Sequence, residues 1–178
     1  MGRFLKKTVL FCVSFLVISN LGFAKVFDWR VAKSGVRLSS VDLDEALFDD
    51  TVGVGVFYEL PYNQVIKVGG GVDFWQTGDR YTEKDYLRDL AFSGYGKYFL
   101  RPHSLEVAPY ATLGLGMHFL RYDRYNGGNH SSRKLSLDMG VGVETKLTQY
   151  VSLSGEIKFR NLKRYDYSDY AVGAVAKF

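Results

Sequence analysis

KLSLDMGVGVETKL, residues 134–147, is the stretch whose reading decides the fold. Taken two by two, Leu135, Leu137, Met139, Val141, Val143, Thr145 and Leu147 form one set. Lys134, Ser136, Asp138, Gly140, Gly142, Glu144 and Lys146 form the other. Successive side chains of a strand point to opposite faces, so as a β-strand this segment has one apolar face and one charged face. A helix would scatter both sets around its axis. The segment also outruns an ordinary globular strand of about 5–6 residues. It fits a tilted strand crossing a bilayer, which needs about 9–11 residues. The pattern predicts a membrane strand with lipid on one side and a polar interior on the other.

Working outward, the same rhythm recurs. Strands are expected at 25–38, 51–60, 64–75, 87–100, 106–122, 134–147, 150–160 and 169–178. Short turns at 61–63, 101–104 and 148–149 alternate with polar connections at 39–50, 76–86, 123–133 and 161–168. Short turns at one rim and longer loops at the other are the habit of outer-membrane barrels. The expected fold is all-β, an eight-stranded antiparallel up-and-down transmembrane β-barrel in the cell outer membrane. Closing the sheet leaves no unpaired edge, which hydrocarbon does not tolerate. A secreted β-sandwich shares the strand number but not strands of this length in this loop rhythm.

The amino-terminal segment reads differently. Arg3, Lys6 and Lys7 precede an apolar run, and Gly22-Phe23-Ala24 offers small residues before a cut. That layout is a secretory signal peptide over residues 1–24, cleaved after Ala24, with the barrel at 25–178. The sole cysteine, Cys12, would leave with it, and the formal net charge would fall from +4 to +1. A basic pI therefore gives no argument for nucleic-acid binding, and no basic helix or aromatic–basic motif of that kind is present. Aromatics at 16 % and 19 glycines against 3 prolines suit a many-stranded protein. Mean hydropathy near zero is no objection, because a barrel alternates its apolar residues.

APYATLGLGMHF (108–119), LSLDMGVGVETKLTQYVSLSGEIKFRN (135–161) and a last strand ending in Phe178 resemble the small outer-membrane barrels of the outer-membrane protein A transmembrane-domain and outer-membrane protein X type. The resemblance is carried by the back half, and the front half shares only the pattern. It implies insertion by the barrel-assembly machinery after escort by periplasmic chaperones, with Tyr170, Val172, Ala174, Ala176 and Phe178 as the assembly signal. Outer-membrane lipid and lipopolysaccharide would surround a monomer. Members that bind peptidoglycan carry that domain after the barrel, so the resemblance, which covers the barrel only, carries over no expectation of peptidoglycan binding. Barrels of this type hold a glutamate at the position of Glu144, facing an arginine on the seventh strand. The matching residue here is Ser154, which leaves Lys67 and Lys97 as candidate partners.

The interior of an eight-stranded barrel is just wide enough to be filled by side chains. Lys33, Arg37, Glu59, Lys67, Asp73, Lys97, Glu106, Asp138, Glu144, Glu156, Lys158, Arg160 and Lys177 have inward parity. Mixed charges there must pair, because an unpaired buried charge costs several kcal/mol. Lys67, Asp73, Lys97, Asp138, Glu144, Glu156 and Lys158 are the expected lumen charge network, read as a static plug, with a gated ion path as the alternative. His130, Ser132 and Glu144 could be proposed as a Ser-His-acid triad of a lipid A-modifying enzyme. The separation opposes it: from Arg133 to Glu144 a strand runs roughly 35 Å at about 3.3 Å per residue, and a triad needs hydrogen-bond contact. His103 and His118 lack a second ligand at metal spacing, so no catalytic, cofactor or metal site is expected.

Phe27, Trp29, Tyr58, Tyr98, Tyr150 and Phe178 are expected in a periplasmic aromatic girdle, and Phe74, Trp75, Phe119, Tyr122, Phe159 and Tyr170 in an outer one. Tyr81, Tyr125, Tyr165 and Tyr167 lie in the loops with Arg80, Arg124, Lys163 and Arg164, a composition used at recognition surfaces and able to meet lipopolysaccharide phosphates. The function expected is a structural or adhesive role at the envelope. A lipid A-modifying enzyme and a narrow pore for small solutes are the alternatives.

Overall fold

The structure is a computed structural model. It describes residues 32–43, 49–79, 85–102, 106–123, 125, 128–148, 150–162 and 167–177, without the side chains of 167–169 and 175–177. The expected signal segment, its cut after Ala24, Phe27, Trp29 and Phe178 lie outside these residues, as do the side chains of Ala176 and Lys177.

Eight antiparallel strands close on themselves. They are β1 (Lys33–Leu43), β2 (Thr51–Pro61), β3 (Ile66–Gly78), β4 (Tyr86–Phe99), β5 (Val107–Asp123), β6 (His130–Lys146), β7 (Val151–Leu162) and β8 (Tyr167–Lys177). Each strand pairs with its sequence neighbour, and β1 pairs with β8 to close the barrel, Val36 opposite Ala174 and Leu38 opposite Val172. Alternation decides which face each residue takes. On β6, Leu135, Leu137, Met139, Val141 and Val143 are exposed on the outside while Ser136, Asp138 and Glu144 are buried inside. The second strand behaves alike, with Val52, Val54 and Val56 outside and Phe57 and Glu59 inside.

Several boundaries differ from the reading of the sequence. Residues 39–43, 76–78, 130–133, 161–162 and 167–168 were expected in loops, yet they continue β1, β3, β6, β7 and β8. The apolar rhythm stops where lipid stops, but the hydrogen-bond ladder does not. β5 and β6 each have 17 residues, about 56 Å of chain at 3.3 Å per residue, far more than an apolar band of about 25 Å requires even when tilted. The surplus stands above the membrane at the loop rim. Gly128, at φ 151°, carries the chain back toward β6 through a conformation that glycine adopts without steric cost.

Three inner rings need glycine opposite them. Phe57 is paired with Gly35 and Gly71, Tyr95 with Gly69 and Gly114, and Tyr110 with Gly142. A Cβ on Gly35 would stand 2.4 Å from the Phe57 ring, and one on Gly142 2.6 Å from that of Tyr110. The rings therefore lie across the glycines and fill the lumen, a known way of rescuing glycine in a sheet.

Candidate functional site

The lumen is layered. At the loop end Val41, Leu43, Trp75, Leu87, Leu120 and Leu162 form a buried apolar cluster, with Tyr122 packed against it. At the turn end Phe99, Ala108 and Tyr110 form a second one, the two rings 5.2 Å apart. Between them lie the charges.

Toward the turn end, Lys67 Nζ is 2.6 Å from Glu144 and 3.7 Å from Glu59, and Lys97 Nζ is 2.6 Å from Glu59. Tyr95 donates its hydroxyl to Glu59 at 3.2 Å, and Lys33 reaches Glu144 at 3.6 Å. Both lysines also lie over rings, Lys67 above Phe99 and Lys97 above Tyr110. Of the two candidate partners of Glu144, Lys67 makes the contact, while Ser154 stands opposite Glu144 in the ladder. Lys158 and Glu156 approach to 3.7 Å, with Tyr110 donating to Glu156 at 3.4 Å.

Toward the loop end, Arg37 donates through Nε and an Nη to both oxygens of Asp73, a fork-on-carboxylate pairing. Arg160 donates to the same carboxylate at 2.7 Å and lies 3.8 Å from Asp138. Ser136 donates to Asp138 at 2.5 Å, His118 Nε2 is 3.0 Å from Ser136 Oγ, and His118 Nδ1 is 2.6 Å from Asp89.

All seven residues expected in the network are thus inside, and Arg37, Glu59 and Arg160 join them. Glu106 is not: it is exposed and precedes β5 at the turn rim. Its apparent inward parity counts from a strand that has not yet begun. Asp89 was missed, although it is fully buried. It lies within the strand expected at 87–100 and shares the inward parity of Ala91, Ser93, Tyr95 and Lys97. His118, read as a lone inward histidine, is held between two strands by Asp89 and Ser136.

Trp75 and Tyr122, expected in the outer girdle, lie elsewhere. Their parity is inward, so both seal the lumen instead of joining the outer girdle; Tyr122 donates to Asp85 at 3.0 Å. Tyr58, Tyr98, Tyr150, Phe74, Phe159 and Tyr170 are exposed on the outside, as girdle residues are.

This architecture limits the chemistry. Asp89, His118 and Ser136 follow one another as an acid, histidine and serine do in a hydrolase. Here the serine hydroxyl is committed to Asp138, all four side chains are buried, and the apolar cluster lies toward the loops. His130, Ser132 and Glu144 are not brought together. His130 is exposed at the start of β6, whereas Glu144 is buried near its other end against Lys67. No metal-binding group of side chains occurs among the described residues. The cavity between Arg37, Phe57, Tyr95, Lys97 and Glu156 measures about 10 Å³, room for about one water.

Residues 10–178 match the family described as outer membrane protein beta-barrel domain. No curated protein sequence matches the chain. Among solved structures, it is similar to Neisserial surface protein A (NspA), with 14% identity, a TM-score of 0.66, and coverage of 83% of this chain and 97% of that one. It is also similar to Ail, the attachment invasion locus protein of Yersinia pestis, crystallised with the heparin analogue sucrose octasulfate. There the identity is 19% and the TM-score 0.60, over 83% of this chain and 97% of Ail. The N-terminal β-barrel domain of Pseudomonas aeruginosa OprF gives 9% and 0.62, over 82% and 97%. At such identities the likeness shows the fold.

Proposed function

The chain belongs to the outer-membrane protein β-barrel family of the bacterial outer membrane, and on that premise we propose that it is a closed, non-catalytic barrel with a structural and adhesive role. Its contact surface is the loop rim, the regions 39–50, 76–86, 123–133 and 161–168, which include the strand ends 39–43, 76–78, 130–133, 161–162 and 167–168. The observation that carries the reading is the filled lumen. An apolar cluster caps two layers of paired charges, with room between them for about one water. A barrel whose described interior is filled by its own side chains offers its partners the outside. Ail, which shares this fold, is named for attachment and invasion and was crystallised with a heparin analogue, so sulfated glycans are the first ligands to try.

The test replaces residues 124–129 and 163–166, separately and together, by short turns. Cells carrying the wild-type barrel should bind immobilised heparin or matrix, and the double replacement should not, while heat-modifiable gel mobility shows the barrel intact. Undiminished binding overturns the adhesive reading. A narrow pore would need a path through the Arg37–Asp73–Arg160 layer, and planar-bilayer recordings should stay silent. Steady unitary currents would replace the plug with a conduit. A lipid A-modifying enzyme gains no support from His130 and Ser132; alanine at either should leave lipid A acylation unchanged.

A further inference from the structure

The outer face of β4, β5 and β6 changes character abruptly at the loop end. Through the band it is apolar: Leu113, Leu115 and Met117 on β5 and Leu135, Leu137 and Met139 on β6 are exposed. The band ends in an edge-to-face pair, Phe92 and Phe119, with centroids 5.8 Å apart. Three outward arginines adjoin it, Arg88 and Arg121 one step nearer the loops and Arg133 level with Phe119. Arg88 is opposite Arg121 in the β4–β5 ladder, and Arg133 is opposite Phe119 in the β5–β6 ladder. Arg133 is therefore the diagonal neighbour of Arg121, about 7–8 Å away, and directly opposed residues are closer still.

Like charges directly across a ladder are destabilising, so this arrangement calls for an anion. Among the described residues, one carboxylate answers it. Asp123 accepts from Arg121 Nε at 2.7 Å and lies 3.5 Å from Arg88. The Arg133 guanidinium instead sits 5.8 Å from the centre of the Phe119 ring. The side chains of Arg88 and Arg121 remain 44% and 55% exposed. Among the described residues, three guanidinium groups against one carboxylate leave this face with surplus positive charge and forked donors that suit phosphate.

We propose that this face binds the phosphate groups of a phosphorylated glycolipid in the loop-side leaflet, held by Arg88, Arg121 and Arg133. The continuity of the two surfaces argues for a lipid over a free anion: acyl chains would lie on Phe92, Phe119 and Met117 beside the arginines. The site faces the membrane plane, so it is independent of adhesion by the loops, and either idea can fail alone.

The test embeds the full barrel in phosphatidylcholine nanodiscs containing bisphosphorylated lipid A and counts lipid A retained on the protein by native mass spectrometry after mild detergent release. Wild type and Arg101→Gln, at the opposite rim, should retain it. The triple variant R88Q/R121Q/R133Q should retain at least about tenfold less, the scale of losing one charge-assisted hydrogen bond. Dephosphorylated lipid A should not be retained, and excess inorganic phosphate should not displace the intact lipid. Equal retention by the triple variant, or of the dephosphorylated lipid, overturns the proposal, and displacement by inorganic phosphate overturns the lipid assignment. Arg133→Gln alone breaks no ion pair with a carboxylate among the described residues and keeps the test available should the triple variant not fold.

Discussion

Removing Asp73 is the sharpest probe of the filled lumen. Its carboxylate accepts both arms of Arg37 and one arm of Arg160, and both arginines are buried. Arg160 has Asp138 3.8 Å away as a second carboxylate. Leaving a buried charge without its partner costs about 3–5 kcal/mol, so Asp73→Ala should destabilise by that amount. Arg37→Ala removes the guanidinium that Asp73 holds most fully, and the double variant should cost less than the two singles together by about 1–3 kcal/mol. The assay is reversible urea unfolding of the barrel in phospholipid vesicles, followed by the fluorescence of Trp75, which sits in the loop-end cluster. Slopes must match between variants for the comparison to hold. If Asp73→Ala costs less than about 0.5 kcal/mol, the range of an ordinary surface change, then water already solvates these arginines and the plug does not exist.

Glycine to alanine should separate the two faces. Gly142→Ala meets the Gly155 carbonyl at 2.5 Å and the Tyr110 ring, whereas a Cβ on Gly155 meets nothing; urea unfolding should show a loss of about 1–3 kcal/mol for the first and within about 0.5 kcal/mol for the second. Trp75→Ala opens a cavity in the loop-end cluster and should cost about 3–5 kcal/mol in urea unfolding followed by far-ultraviolet circular dichroism, while bilayer currents stay absent because the charged layers below persist. Leu137→Arg, on the lipid face of β6, should cost up to about 2–4 kcal/mol if it lies at mid-membrane, and folding yield into vesicles should fall with it.

The fold was legible because lipid imposes one rule on every strand. Val52, Val54 and Val56 can face only outward, so parity assigned the interior wherever the apolar rhythm was unbroken. Legibility failed where that rule lapses. Above the membrane no outward apolar stripe marks His130–Arg133 or residues 39–43 as strand, yet ladder hydrogen bonds extend them. Trp75 and Tyr122 have the composition of a girdle but inward parity, and parity wins. Asp89 was readable by counting two residues at a time from Lys97, whereas its contact with His118 depends on register between β4 and β5, which sequence spacing does not give. The same holds for Lys67 and Glu144, 77 residues apart: their charges advertised a pairing, and only closure of the barrel set the partner. The glycines opposite Phe57, Tyr95 and Tyr110 became meaningful only once register was known.

Site-directed spin labelling of single cysteines in bilayers, on a background in which Cys12 is absent, addresses the two-faced strand itself. Labels at Leu135, Leu137, Met139 and Val141 should be reached by oxygen dissolved in the lipid and shielded from a water-soluble nickel reagent. Labels at Ser136, Ser152 and Ser154, which are buried inside, should be shielded from both. Access that does not alternate along β6, or outward positions open to the water-soluble reagent, would contradict a lipid-facing barrel with a filled centre.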